Sequence, residues 1–227
     1  RVSGTVTGEN NYVAGVCGEA SGTIKNCVNL ANVSMNGKNY YIGGICGGFG
    51  PGMIQQCRNE GTISAGNGGI AGGILGVAFP VGVTIEDCSN QLNISGTTGI
   101  AGICGNLHSD GIQQPIIQRC YNTGNISGTQ YVGGIVGNGN VETGGIAVSI
   151  KHSYNKGTVK ASSNKNVNGI GINISQSNCI NVTSSTNAET VFNMITQNLS
   201  QVDWNGKKVD AWKITEQNSG YPILYWE

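Results

Sequence analysis

Charge is scarce in this chain. Only 11% of its 227 residues are charged, and 12 Lys and Arg balance 12 Asp and Glu. Nucleic-acid binding requires clustered cations that displace counterions from phosphates, so that class loses its electrostatic basis. A polybasic patch for a membrane surface is missing for the same reason. No apolar run approaches the length that spans a bilayer, so no membrane insertion is expected. The chain has two histidines, His108 and His152, and neither sits in a His-Glu-x-x-His pattern or beside a nucleophile. No Cys-x-x-Cys occurs among the eight cysteines. Zinc requires four converging ligands, so neither a metal nor another cofactor is expected.

Glycine, in contrast, is abundant at 38 residues, well above the usual ~7%. It is distributed as part of a repeat. An asparagine recurs at Asn29, Asn59, Asn90, Asn122 and Asn155, in steps of 30, 31, 32 and 33 residues. Each copy holds three short segments. Gly43-Gly44-Ile45-Cys46-Gly47 exemplifies the first, Ile54-Gln55-Gln56-Cys57-Arg58-Asn59 the second and Gly61-Thr62-Ile63-Ser64 the third. All are short, rich in β-branched residues and bounded by Gly or Asn, which is the signature of strands. A period of this length indicates a repeat architecture. The expected fold is all-β, a parallel β-helix or β-solenoid with rungs of about 30–33 residues.

Stacked rungs would place the five asparagines one above another, as an amide ladder at a strand spacing of ~4.8 Å. Their recurrence then reflects structure. The third segment predicts a second column of small polar residues facing outward, with Asn32, Thr62, Asn93, Asn125 and Thr158 at one position and Ser34, Ser64, Ser95, Ser127 and Lys160 at the other. The mixture of Asn, Ser and Lys makes a poor match to an ice lattice.

The cysteines also hold repeat positions. Cys27, Cys57, Cys88 and Cys120 share one, and Cys17, Cys46 and Cys104 share another. Three copies contain both, which favours a disulfide within each rung, and an exported chain would permit one. Exchange for Leu75, Val136 and Ser153 in other copies, with Cys88 left single, fits a core ladder of unpaired thiols better. The adjacent carboxylates Glu86 and Asp87 invite comparison with carbohydrate-cleaving β-helices. Equivalent positions carry Lys25-Asn26, Gln55-Gln56 and Gln118-Arg119, so the pair is expected to lie on a solvated surface.

The repeat degrades after Asn155. Asn168-Gly169-Ile170-Gly171 and Cys179-Ile180-Asn181 read as one eroded rung. From Ser184 the character changes. Ala188, Val191, Phe192, Ile195 and Leu199 fall at helical spacing behind Thr186 or Asn187 as N-cap. Trp204, Trp212 and Trp226 follow. A solenoid exposes an apolar cross-section at its end and requires an atypical cap. Residues 1–183 are therefore assigned to repeats, and 184–227 to a small helix-containing capping segment that plugs the end of the core.

The segments Tyr131-Val132-Gly133-Gly134-Ile135-Val136-Gly137 and Cys120-Tyr121-Asn122-Thr123-Gly124-Asn125-Ile126-Ser127 resemble the GLUG motif. Trp212-Lys213-Ile214 and Gly220-Tyr221-Pro222-Ile223-Leu224-Tyr225-Trp226 are similar to the tail that often ends GLUG arrays. Ile70-Ala71-Gly72-Gly73-Ile74-Leu75 departs from the pattern with a shifted start. GLUG repeats occur in large exported bacterial proteins, including adhesin-like surface proteins and the non-catalytic regions of immunoglobulin A-cleaving zinc peptidases. The resemblance implies an extracellular or cell-surface location, and a non-catalytic spacer or binding surface in a bacterial protein. The chain opens in mid-repeat, so it is expected to be a monomeric fragment of a larger one. The expected partner is a glycan or protein ligand of host or bacterial origin. Candidate contact residues are Asn106, His108 and Asp110 in a long variable loop, with Trp204 and Trp212 in the tail. The rival class is a glycan-active β-helix enzyme or an accessory region of a secreted peptidase.

Overall fold

A computed structural model of the chain describes residues 1–9, 11–37, 40–80, 82–109, 112–141, 146–163 and 166–227. It is a parallel β-solenoid of about five turns, with one helix near the C-terminus. The turns stack into four parallel sheets, each turn giving one strand to a sheet except in the second, where the third, fourth and fifth rungs give two. Tyr12–Ala14, Tyr41–Gly43, Ile70–Gly72, Thr98–Ala101, Gln130–Gly133 and Val167–Asn168 stack as the first. The second sheet is the widest and carries the inserted loops. Cys17–Lys25 and Cys46–Gln55 cross it unbroken, whereas the third rung divides into Leu75–Ala78 and Val83–Glu86. The third sheet is six two-residue strands that end on Asn29, Asn59, Asn90, Asn122, Asn155 and Asn181. The fourth holds the Gly-x-Ile-Ser segments.

The register explains the repeat. Asn59 pairs with Asn29 and Asn90, Asn122 with Asn90 and Asn155, and Asn155 with Asn181. The eroded sixth rung thus completes the ladder. The third rung has no shifted start, because Ile70 pairs with Tyr41 and Gly72 with Gly43. Each ladder amide donates to the next rung: Asn29 Nδ2 to Asn59 Oδ1 at 2.8 Å, then Asn59 to Asn90, Asn90 to Asn122, Asn122 to Asn155 and Asn155 to Asn181 at 2.7 Å. The second N–H of the first five donates to the carbonyl two residues on. Both donors are satisfied in a dry interior, where an orphan would cost about 1–3 kcal/mol. Aligned amides also polarise one another.

The second glycine of each Gly-Gly-Ile segment faces this ladder. A β-carbon on Gly44, Gly73, Gly102 or Gly134 would stand 2.4–2.7 Å from Asn59, Asn90, Asn122 or Asn155. Asparagine and glycine meet across the lumen and form a septum between two apolar stacks. On one side lie Ile45, Ile74, Ile103 and Ile135 with Ile54, Ile85, Ile117 and Ile150. On the other lie Val33, Ile63, Ile94 and Ile126 with Ile42, Ile100 and Val132. The outward residues of the fourth sheet, Asn32, Thr62, Asn93, Asn125 and Thr158, are exposed. They are held in register, as Asn32 Oδ1 accepts from Thr62 Oγ1 and Asn125 Oδ1 from Thr158 Oγ1, both at 2.7 Å.

The C-terminal segment does not plug the end of the core. The helix Ala188–Thr196, capped by Asn187 Oδ1 on Thr190 N, lies beside the last two rungs. Beyond it the chain runs back along the outer side of the asparagine sheet. Val191, Ile195, Trp212, Ile223 and Leu224 bury themselves against Tyr121 and Tyr154. Tyr121 and Tyr154 stack at 5.2 Å between ring centroids, and Trp212 tilts against both. These two tyrosines point outward in register with Ile180, so the three make a lateral apolar strip that the segment covers. Among the described residues no helix is long and apolar enough to cross a membrane.

Candidate functional site

The chain turns sharply just before each cysteine of the second segment. Asn26, Gln56, Asp87, Arg119, His152 and Asn178 all occupy the left-handed region, with φ between 49° and 57°. Asparagine and aspartate tolerate this conformation, but longer side chains such as Gln56 and Arg119 there cost about 1–3 kcal/mol. The two end rungs carry Asn, whereas the four inner ones carry Gln, Asp, Arg and His. The C-terminal segment meets all four inner corners or their ion pairs. Gln56 Nε2 donates to Tyr225 Oη at 2.6 Å, and Tyr225 Oη to Asp87 Oδ2 at 3.3 Å. Trp226 Nε1 donates to the Asp87 carbonyl, and His152 Nδ1 lies 2.9 Å from the Ile195 carbonyl. At the sixth corner, Asn178 Nδ2 donates to the Gln197 carbonyl. Docking contacts thus hold the strained corners.

Glu86 and Asp87 lie at the centre of this seam and are buried, contrary to the solvated surface expected from the repeat comparison. Asp87 is 1% exposed and Glu86 8%. Arg119 bonds both, through Nε to Asp87 Oδ1 at 2.6 Å and through Nη2 to Glu86 Oε2 at 2.7 Å. Gln55 and Gln118 donate to the two oxygens of Glu86, each at 2.7 Å. The repeat supplies the glutamines and the cation, and the tail supplies the cover. Burial raises the Asp87 carboxyl above its ordinary value more than Arg119 lowers it. Burial and the Asp87 charge push the Tyr225 phenol up to about 12. Tyr225 and Trp226 cover Asp87, through its carboxylate and its backbone carbonyl.

Next to the seam a polar cleft of about 430 Å³ opens between the asparagine sheet and the returning segment. Arg58, Gln91, Thr123, Asn218 and Glu227 form its walls, with Tyr121 at the floor. Arg58 lies between Glu60 at 2.6 Å and Glu227 at 3.7 Å, with its guanidinium 6.0 Å from the Trp226 ring centre. Glu227 accepts from Ser89 Oγ at 2.7 Å and Tyr121 Oη at 2.8 Å. Repeat comparison missed the cleft because half of its wall comes from outside the repeats.

The residues singled out from sequence are not brought together. Asn106 is 9% exposed on the second sheet, with its amide nitrogen 3.0 Å from His108 Nε2. Asp110 lies outside the described residues, as do residues 142–145 of the next inserted loop. Trp212 is 2% exposed and is a packing residue, so it offers no face to a ligand. Trp204 is partly exposed and stands edge-on to Tyr225 at 5.3 Å. All eight cysteines are free thiols. Cys57, Cys88 and Cys120 are buried, while Cys27, on the uncovered first rung, is partly exposed. Cys17 and Cys46 pair in register on successive rungs, whereas Leu75 separates Cys46 from Cys104. Burial raises the thiols of Cys46, to about 12, and of Cys88. Comparison of the chain with known protein families, curated proteins and solved structures found no match.

Proposed function

We propose that the chain is a non-catalytic structural and interaction module of a bacterial cell-surface or secreted protein, an adhesin-like rod that presents a binding surface. The observation that supports this is the exposed fourth sheet, whose Asn, Thr and Ser side chains stand in register on a rigid stack. Solenoids use extended faces of this kind for recognition, and positioned side chains on a stiff scaffold lose little freedom on binding. The resemblance to GLUG arrays supports the extracellular assignment. Buried thiols react slowly, so the free thiols of Cys46, Cys57, Cys88, Cys104 and Cys120 are compatible with that location.

A glycan array and a peptide library, probed with the chain and with an Asn125→Ala, Thr158→Ala variant, test the reading. Ligand capture that the variant loses is expected. Turnover of a polysaccharide or peptide substrate would overturn it in favour of an enzyme.

A further inference from the structure

We infer that the cleft beside Tyr121 is a binding site for an uncharged saccharide of one or two units. The inference goes beyond the binding face proposed above, because it lies on a different side of the rod. Its volume of about 430 Å³ falls within the range of small-molecule sites, ~300–1,000 Å³.

The lining selects the chemistry. Tyr121 and Ile223 are buried to 1% and 3% exposure, so the floor offers little apolar area to a hydrophobic ligand. The walls instead carry uncommitted polar groups. Gln91 donates its amide to Tyr121 Oη at 3.2 Å, which leaves its Oε1 to accept. Asn218 donates to Tyr154 Oη at 2.8 Å, which leaves its Oδ1. Among the described residues, the side chains of Thr123 and Gln217 have no hydrogen-bond partner, and both line the cleft. Amides and hydroxyls together supply donors and acceptors. Sugar hydroxyls are both at once.

The charges select against an ionic ligand. Arg58 is compensated by Glu60 and Glu227. Glu227 is itself satisfied by Ser89, Tyr121 and the Leu224 amide. A phosphate or carboxylate would have to displace one of these carboxylates, and a cation would have to displace Arg58.

The cleft is also held in shape. Its outer lip, residues 217–220, places Asn218, Ser219 and Gly220 at φ of 53°, 55° and 79°. A left-handed serine between Asn and Gly is costly, and such strain persists only where the surroundings fix it. Lys156 does so from below, donating to the Asn218 carbonyl at 3.3 Å and lying 4.4 Å over the Tyr221 ring. A lip fixed before binding spares the ligand the cost of ordering it.

Protein-observed NMR titration tests this on the full chain, with glucose, galactose, N-acetylglucosamine and lactose against glucuronate, N-acetylneuraminate and inorganic phosphate. A neutral sugar is expected to shift the Thr123 and Asn218 amide signals with a dissociation constant on the order of 1 mM. Thr123→Val and Gln217→Ala, both at partly or fully exposed side chains, should each weaken it by about tenfold. The Asn125→Ala, Thr158→Ala variant should leave it unchanged, which separates this site from the face proposed above. Preferential binding of an acidic sugar or phosphate, neutral-sugar binding indifferent to both cleft variants, or no shift with any sugar would each overturn the inference.

Discussion

Gly169 lies against Asn181 so closely that a β-carbon there would stand 2.1 Å from the Asn181 Cγ. The three atoms nearest that position all belong to the Asn181 side chain. At Gly44 the same position also meets the Gly73 carbonyl oxygen at 2.2 Å. Among the described residues, the last rung is therefore the place where the glycine and the asparagine depend chiefly on each other.

A double-mutant cycle reads this dependence. Gly169→Ala should destabilise the chain modestly, because the exposed Asn181 side chain can give way, and adding Asn181→Ala should recover part of the loss, with a coupling of about 0.5–1 kcal/mol. Gly44→Ala should cost about 3 kcal/mol or more, and Asn59→Ala should not rescue it. Urea denaturation of the six proteins supplies the comparison. Strict additivity at Gly169 and Asn181 would contradict the septum.

The corner at His152 gives a pH dependence of known sign. Burial holds its imidazole below the ordinary value, against the pull of the Ile195 carbonyl, and Arg119 and Lys151 lower it further. The unfolded chain therefore takes up this proton first. The contribution is present above about pH 6.5 and is lost as pH falls through the lower, folded value. Asp87, raised in the folded state, changes stability in the opposite direction on acidification, so the His152 part must be isolated. His152→Asn does so, because Asn accepts the left-handed backbone and at Asn178 bonds the helix end in the same way. Between pH 8 and 5 the parent should lose stability relative to this variant. Parallel profiles would exclude His152 as the source.

Thiol reactivity should divide by rung. Cys17, Cys27 and Cys179, on the end rungs, are partly exposed, while Cys46, Cys57, Cys88, Cys104 and Cys120 are buried. Titration with a disulfide reagent should label the first three early and the five buried thiols only after unfolding. Denaturation without reductant should release all eight thiols. Recovery of two would instead indicate three disulfides and would reject the thiol columns.

Removal of residues 184–227 should uncover Tyr121, Tyr154 and the ion-pair seam along the side of the rod, and should leave the core cross-section unchanged. A lateral apolar strip beside buried charges favours association, so the truncated chain should aggregate. Trp212→Ala keeps the segment but removes its largest buried side chain, at a cost of about 3–5 kcal/mol. A truncated chain that stays monomeric, with an unaltered unfolding midpoint, would show that the segment is an independent module.

The rod was legible in the sequence because it is local and repeated. Asn59, Ile54 and Gly44 each recur once per turn, and register follows from recurrence. The seam was not legible. Gln56 and Tyr225 are 169 residues apart, and Asp87 and Trp226 are 139 apart. No period links those pairs. Comparing Glu86-Asp87 with Gln55-Gln56 and Gln118-Arg119 treated the differences as surface drift, whereas the rungs supply different members of one ion-pair cluster. The left-handed corner had a signal in Asn26 and Asn178, but Gln56, Arg119 and His152 at the same position concealed it. Tyr121 and Tyr154 marked the covered strip, being large aromatics where Arg58 and Ser89 stand in other rungs.

The most direct test of the account is an NMR measurement on the asparagine side-chain amides. The account predicts NOEs between the Nδ2 protons of consecutive ladder residues, Asn29 with Asn59 through Asn122 with Asn155, because stacked strands lie ~4.8 Å apart. It also predicts slow exchange of the Asn59, Asn90 and Asn122 amides with solvent, and immediate exchange for the exposed Asn32 and Asn93. Rapid exchange of all these amides, with no NOE between residues one rung apart, would contradict the ladder and the solenoid built on it.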